Sequence, residues 1–229
     1  MKKMLSLIVS LLSIAAVIIW QLFFADTNYY IIAAAILILS MFPFLFSFEK
    51  SKPSARELTL IAGLIAIAVV SRAVFYLIPQ VKPIGAVVIV SGACLGAKRG
   101  YLIGAFSAFI SNFIFGQGIW TPFQMVALGL VGLIAGLIFN GKTKRLSLSI
   151  VGFVLCSALY GIIVDLSSVL MLTNDYSISS VLAVYAAGVP FNLIFGASTA
   201  IFLFLFGEEF TKKINRIVKK YGILEVKYG

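Results

Sequence analysis

The chain has 229 residues, of which 62% are apolar and only 11% are charged, and its mean hydropathy is +1.11. A soluble domain carries about 25% charged residues, so a soluble enzyme or binding module is excluded. The net charge of +10 does not indicate nucleic-acid binding, because the Lys and Arg residues lie in short loops and tails, where they decide membrane orientation. The absence of His excludes His-based catalysis and the commonest zinc sites.

Apolar runs of roughly 18 to 24 residues, broken by short charged patches, predict helices that cross the hydrocarbon core of a membrane. We therefore predict an all-α membrane protein with eight spans. In chain order they cover residues 4–24, 29–48, 57–78, 84–97, 100–115, 121–140, 147–172 and 181–206. The first run lacks a small-x-small cleavage site before Asp26, so we expect a retained anchor rather than a signal peptide. The fourth and fifth spans are short and glycine-rich, which predicts helices that are tilted or partly buried in protein.

The distribution of basic residues predicts the orientation of these spans. With the N-terminus inside, 16 of the 18 Lys and Arg residues fall on the cytoplasmic side, and only Arg72 and Lys82 fall outside. Such a split predicts a multi-pass protein of the cell membrane with both termini cytoplasmic. A charged seam at residues 48–57 separates two N-terminal helices (1–50) from a six-helix unit (55–210), which a basic cytoplasmic tail (211–229) follows.

Three charged residues lie towards the outer side. Asp165 lies about two turns inside the outer end of the seventh span, where an unpaired charge costs a few kcal/mol, so we expect it to belong to a functional site. Arg72 lies at a similar depth, and a structural Arg72–Asp165 ion pair is the competing interpretation. Arg72 and Lys82 either snorkel to lipid headgroups or frame an outward-facing site for a polar or anionic group.

The segment 111–124, SNFIFGQGIWTPFQ, brings Asn112, Gln117 and Gln124 to the outer ends of two adjacent helices. Trp120 lies where interfacial aromatic residues collect, and a belt tryptophan in a plain loop is the alternative interpretation. The density of amides and aromatics favours a ligand-binding loop. Three residues of later spans are further candidates for the same cavity: Tyr160, Tyr185 and Asn192.

Small residues four apart occur as Ala62-x-x-x-Ala66 in the third span and as Gly132-x-x-x-Gly136 in the sixth. Such pairs let helices approach closely, and generic bundle packing is one explanation. Ala62 and Ala66 lie near the cytoplasmic end, so docking of a partner helix is the other explanation.

Several absences narrow the function further. The chain has no G-x-x-x-x-G-K-[ST] loop, so we expect no ATP hydrolysis by this chain. No H-E-x-x-H or G-x-S-x-G motif occurs either, and we expect no catalytic residue, no metal site and no bound cofactor. Cys94 and Cys156 each lie in an apolar run and are expected to be packing residues rather than a disulfide.

The segment from Ala55 to about Phe206 resembles the substrate-binding S component of energy-coupling factor (ECF) vitamin transporters. The likeness rests on the six-helix unit, the Ala62/Ala66 pair, the run from Lys82 to Gly132 and the basic tail. It implies capture of a vitamin or related micronutrient from outside with high affinity. It also implies docking onto a membrane scaffold, the T component, with two cytoplasmic ATPase subunits that alone use ATP, and toppling of the S component to release its cargo.

The resemblance assigns scaffold docking to Ala62 and Ala66, and it places the pocket at the outer helix ends. The candidate substrate-binding residues are Arg72, Asn112, Gln117, Trp120, Gln124, Asp165, Tyr185 and Asn192. The loop 116–124 is most similar to S components linked to cobalamin-type cargo. We therefore favour that cargo over riboflavin, pantothenate, a queuosine precursor or haem.

Two other classes of function stay open. A membrane-embedded enzyme or assembly factor acting on lipids would need several intramembrane polar residues, and this chain offers few. A self-sufficient channel or secondary carrier would be active in liposomes without ATPase subunits.

Overall fold

The computed structural model describes residues 53–223 apart from 140, 142 and 174–176, together with seven helical residues between 38 and 49. From residue 53 onward the described chain forms six helices: α1 Ala55–Val74, α2 Ile84–Leu95, α3 Ala97–Phe115, α4 Trp120–Phe139, α5 Arg145–Leu172 and α6 Ile178–Tyr221. This confirms the predicted all-α, six-helix architecture. The two N-terminal spans predicted at 4–24 and 29–48 lie largely outside the described residues and stay a prediction.

Four of these helices, α1, α4, α5 and α6, are long and apolar enough to cross a membrane. The longest is α6, with 44 residues, and it continues well past the predicted span end at residue 206. The hydrocarbon thickness limits the apolar part of a helix but not the helix itself, so the first part of the predicted basic tail is helical. The helix ends at Gly222, whose φ of 59° is a left-handed conformation that glycine adopts readily.

The second helix is short and lies inside the protein. All 12 residues of α2 are buried, which confirms the expectation for the fourth span. Gly85, near its start, packs against Cys156 and Thr199, and Cys156 lies roughly 24 Å before the outer end of α5 by helical rise. The helix α2 therefore begins deep in the bundle, and the α1–α2 loop descends to meet it. Cys156 and Cys94 are buried free thiols, as predicted.

Glycines allow α2, α3 and α4 to pack closely. A Cβ atom on Gly92 or Gly100 would overlap the Gly132 carbonyl, and a Cβ on Gly132 would overlap the Gly100 carbonyl. Gly136 faces the backbone of Ala97 in the same way. Small residues let helix backbones approach in a membrane, so the prediction that Gly132 and Gly136 form a packing motif is confirmed.

Charged residues from three helix starts and from α6 meet at one end of the bundle. Glu57 of α1, which is almost fully buried, accepts a hydrogen bond from Arg99 Nε of α3 at 2.5 Å. Arg145, at the start of α5, pairs with Glu208 of α6 at 3.4 Å. The basic residues therefore collect at one end, which we take as the cytoplasmic end by the positive-inside rule.

Candidate functional site

A cavity of about 520 Å³ lies between α5 and α6 on one side and the α1–α2 loop and the start of α4 on the other. Sites that bury small organic ligands measure roughly 300–1,000 Å³ and combine apolar walls with a few polar groups. The apolar lining residues include Val164, Leu172, Val184 and Phe191. The polar lining residues are Gln80, Lys82, Gln124, Tyr160, Asp165, Ser168 and Asn192. The cavity therefore has the composition of a small-molecule site.

A π-helical turn sets the register in which α5 faces the cavity. The backbone of Leu155–Leu159 is π-helical and directly precedes Tyr160, whose ring packs edge-on against Phe195 at a centroid distance of 4.8 Å. One extra residue in a turn rotates the face that follows, and such turns are frequent at functional sites. The α5 residues that then line the cavity are Tyr160, Val164, Asp165, Ser168 and Leu172.

Asp165 and Asn192 form the polar centre of the α5–α6 wall. The Asp165 carboxylate is buried and accepts a hydrogen bond from Asn192 Nδ2 at 2.6 Å. A Cβ atom on Gly188 would overlap this carboxylate, and a Cβ on Gly161 would overlap the Asn192 amide. The two glycines therefore make the room in which this pair meets between the helices.

Arg72 and Asp165 do not form an ion pair in the part of the chain that the structure describes. Arg72 Nη1 instead donates to Ser111 Oγ at 2.6 Å and to Asn112 Oδ1 at 2.9 Å. Its guanidinium also lies 4.5 Å from the centroid of the Phe115 ring. The competing interpretation of an Arg72–Asp165 pair is therefore corrected: each charge has neutral partners on its own side of the bundle.

Asn112 connects this arginine to α4. Its side chain is fully buried, and its Nδ2 donates to Gln124 Oε1 at 2.9 Å and to Thr121 Oγ1 at 3.1 Å. Buried amides are stable when all their polar atoms have partners, and here Arg72 supplies the donor for Asn112 Oδ1. The predicted cluster of amides at the outer ends of α3 and α4 thus exists as one hydrogen-bonded network.

Gln117 and Trp120 brace the α3–α4 turn and do not line the cavity. Gln117 Oε1 accepts from Thr121 Oγ1 at 2.9 Å, and its Nε2 donates to the Phe109 carbonyl at 3.0 Å. The Trp120 ring packs over Gly118, where a Cβ atom would overlap the indole. Both side chains hold the turn that presents the network.

The α1–α2 loop supplies the cation of the cavity. Lys82 Nζ donates to Gln80 Oε1 at 2.9 Å, and Gln80 has a positive φ of 59°, which is uncommon for a residue other than glycine. Burial lowers the pKa of Lys82 to about 8, and the positive charge of Arg72 adds to this effect. The ammonium group is therefore held near its titration point in mildly alkaline solution.

Five residues that the sequence indicated for the site line the cavity together: Lys82, Gln124, Tyr160, Asp165 and Asn192. Arg72 and Asn112 lie behind the wall, where Arg72 contacts Asn112 and Asn112 in turn contacts Gln124. The Tyr185 hydroxyl donates to the Ile162 carbonyl at 3.0 Å and ties α6 to α5 outside the lining.

Sequence reasoning missed two polar lining residues, Gln80 and Ser168, as well as the apolar ones. Gln80 lies two residues before Lys82, and Ser168 lies three residues after Asp165, one helical turn along the same face. Polar residues at those spacings from the predicted charges are the pattern that indicates them.

A second candidate surface lies on the exterior of α1. Ala62 and Ala66 are exposed, and no atom of the described residues lies within 4 Å of a Cβ built on Gly63 between them. The opposite side of the helix is buried through Ile61 and Leu64. The alanine pair therefore does not pack within the bundle but forms a flat face near its cytoplasmic end.

A family model described as the ECF-type riboflavin transporter, S component, matches residues 52–212, more than two thirds of the chain. The matched segment contains every residue that lines the cavity, as well as the alanine pair on α1. Neither a curated protein nor a solved structure matches the chain. The chain therefore belongs to the family of ECF-type riboflavin transporter S components.

Proposed function

We propose that this membrane protein captures riboflavin, or a flavin with the same ring system, from the outer side of the membrane. The observation that carries the proposal is the cavity of about 520 Å³, which lies wholly within the segment that matches the riboflavin-transporter family. Membership in an S-component family supports the role of substrate-binding subunit. The cargo and the residues that hold it are our inference.

The chemistry of the cavity walls suits a flavin. Its tricyclic ring carries two carbonyl acceptors and an imide N–H donor, and its ribityl chain carries hydroxyls. Lys82 and Gln124 offer donors on one wall, whereas Asp165 and Asn192 offer acceptors on the other. Tyr160 adds an aromatic surface, and aromatic side chains bury large flat areas.

The predicted preference for a cobalamin-type cargo is not supported. The matching family model is described by riboflavin, and a corrin macrocycle with its nucleotide arm is far larger than a flavin. The cavity volume of about 520 Å³ lies in the middle of the range of about 300–1,000 Å³ that holds drug-sized ligands. We therefore propose riboflavin, and not a cobalamin-type molecule, as the cargo.

Energy for release would come from partner subunits. The family implies a membrane scaffold and ATPase subunits, and this chain has no P-loop sequence of its own. The exposed Ala62/Ala66 face offers a flat surface for a scaffold helix, since small residues allow close approach. In this proposal the flavin is cargo, and the chain acts neither as an enzyme nor as the holder of a prosthetic group.

Titration of riboflavin fluorescence with the purified protein in detergent tests the proposal. We expect quenching that saturates at one flavin per chain with nanomolar affinity, and no competition by cobalamin. Uptake into proteoliposomes should require the scaffold and the ATPase subunits. Absence of flavin binding at micromolar concentrations would overturn the cargo, and uptake without ATPase subunits would favour a self-sufficient carrier.

A further inference from the structure

The hydrogen-bond chain from Arg72 to Gln124 has only one permitted direction. A guanidinium donates hydrogen bonds and accepts none. Because Arg72 Nη1 lies 2.9 Å from the Asn112 side chain, the atom it meets must be the carbonyl oxygen Oδ1. The other branch of the Asn112 amide, Nδ2, is then the donor to Gln124 Oε1 at 2.9 Å and to Thr121 Oγ1 at 3.1 Å.

The same logic carries over to Gln124, at the cavity wall. Its Oε1 is engaged by Asn112, so its Nε2 is the branch that stays free to donate. Among the residues that the structure describes, no hydrogen bond from Nε2 is seen, and the Gln124 side chain lines the cavity. The Gln124 side chain therefore turns its N–H donor, rather than its engaged carbonyl oxygen, towards the cavity.

The opposite wall has the reverse polarity by an independent arrangement. Asn192 Nδ2 donates a hydrogen bond to the Asp165 carboxylate at 2.6 Å, and an ionised carboxylate can only accept hydrogen bonds. Of this pair, the groups left to face a ligand are the Asn192 carbonyl oxygen and the carboxylate itself, while the Tyr160 and Ser168 hydroxyls on the same wall can donate or accept. The Gln124 amide thus offers the cavity a donor, and the Asp165–Asn192 pair offers it acceptors.

We infer that Asn112 is a positioning residue that fixes the Gln124 amide as a donor, so that the α4 wall selects a cargo by a carbonyl acceptor. The inference rests on the proposed function, in which that acceptor is a ring carbonyl of the flavin. Arg72 acts at the far end of the same chain because it cannot accept a hydrogen bond and so prevents both amides from reversing. A site built this way rejects a ligand without the acceptor, since Nε2 would then be buried without a partner.

The sharpest test is Asn112→Asp, which keeps the shape of the side chain but removes the donor that Gln124 Oε1 has among the described residues. The Gln124 amide would then rotate to donate to the new carboxylate, and its carbonyl oxygen would face the flavin carbonyl. We expect riboflavin affinity to fall about tenfold or more. The probes are riboflavin and two analogues in which one or the other ring carbonyl oxygen is replaced by sulfur, a weaker acceptor.

The wild-type protein should prefer riboflavin over one of these analogues by about tenfold, and Asn112→Asp should remove that preference. Gln124→Ala should cost a similar factor in the wild type but nothing on the Asn112→Asp background. Arg72→Lys, which keeps a donor-only cation, should retain the preference. Ser111→Ala is the matched control, because it removes one contact of Arg72 and leaves the direction of the chain unchanged.

Thermal unfolding in detergent checks that each variant is folded. If Asn112→Asp does not fold, the test is Gln124→Ala alone, which should lose the preference for riboflavin over the analogue. If the variants weaken riboflavin and both analogues by equal factors, Asn112 is merely structural and the inference is overturned. A wild-type protein that binds no flavin at all would instead overturn the proposed cargo, and the inference with it.

Discussion

The Asp165 carboxylate meets the Asn192 amide at 2.6 Å between α5 and α6, in a space that only two glycines leave open. A carboxylate inside a membrane protein is costly unless it is paired or hydrated. Among the described residues its hydrogen-bond partner is the neutral Asn192 amide, and a cavity lies beside it. The carboxylate therefore needs hydration or a further contact from the cavity side, which a bound ligand would supply in the proposed function.

Gly188→Ala should disrupt this arrangement, because the added methyl group would overlap the Asp165 carboxylate. We expect a destabilisation of about 1–3 kcal/mol from overpacking, with a loss of flavin affinity. Thermal unfolding and fluorescence titration measure the two effects. Gly63→Ala on α1 is the matched control, since no atom lies within 4 Å of its Cβ position. Equal behaviour of the two variants would contradict the prediction.

Exchanging the charges of Arg72 and Asp165 should not restore function. The double variant Arg72→Asp with Asp165→Arg would leave Asn112 Oδ1 without its donor and Asn192 Nδ2 without its acceptor. Each single variant should weaken flavin binding by about tenfold or more, and the double variant should be no better than either. Recovery of binding in the double variant would show that the two charges interact directly.

Flavin affinity should fall as the pH rises through about 8, because Lys82, whose pKa burial lowers to about 8, then loses the proton that makes it a charged donor. Titrations between about pH 7 and about pH 9 should show a several-fold weakening, while Lys82→Met should bind more weakly and without this slope. Gln80 accepts the hydrogen bond of Lys82 and Arg72 repels its charge, while Asp165 and Tyr160 are the other titratable groups that line the same cavity. A pH slope that persists in Lys82→Met would assign the titration to another group.

The lowered pKa of Lys82 has the opposite effect on stability, which rises with pH while flavin affinity falls. A lysine with a lowered native pKa binds fewer protons in the folded protein than in the unfolded chain at pH values from about 8 up to its ordinary 10.5. The contribution of Lys82 to the free energy of unfolding therefore rises with pH across that window. Weaker binding together with unchanged or higher thermal stability would separate ligand contact from general unfolding.

Bulky residues on the α1 face should uncouple binding from uptake. In the double variant Ala62→Trp with Ala66→Trp, the exposed position of both residues predicts normal folding and normal flavin affinity. Uptake with the scaffold and ATPase subunits should be lost, because the indoles hold a partner helix away from the flat face. Ile138→Trp, on the exposed side of α4, is the control and should leave uptake intact. Loss of flavin binding in the alanine variants would mean that the pair packs internally.

The sequence predicted the fold better than the site. Helix spans follow from the thickness of the membrane, and the burial of α2 was indicated by its shortness and its glycines. The same reasoning missed the extent of α6, because a helix may continue beyond its apolar part. The sequence indicates how deep a residue lies along its helix, but not which way the helix is rotated about its axis. Equal depth therefore suggested an Arg72–Asp165 pair, although in the structure each residue has other partners.

The amides illustrate the same limit. Asn112, Gln117 and Gln124 were predicted as one group, and they do share a network through Thr121. Which of them faces the cavity depends on how α4 is rotated and on where the α1–α2 loop descends, and neither follows from local sequence. The sequence did not indicate Gln80 for the same reason. This loop residue lines the cavity because α2 begins deep in the bundle and the loop before it descends to that depth.

The length of α6 links the two ends of the molecule. Asn192, at the cavity, and Tyr221, near the helix end, both belong to α6, and the 29 steps from one residue to the other correspond to about 44 Å of helical rise. Arg56, next to the α1 face, donates to the Tyr221 carbonyl at 3.4 Å. Pro190 interrupts the backbone hydrogen bonds inside α6, so the part of the helix from Asn192 onward would tilt as one lever. An optical label at Lys219, about 40 Å from Asn192 along the helix, would therefore report on movement at the cavity from beyond the hydrocarbon core of about 30 Å.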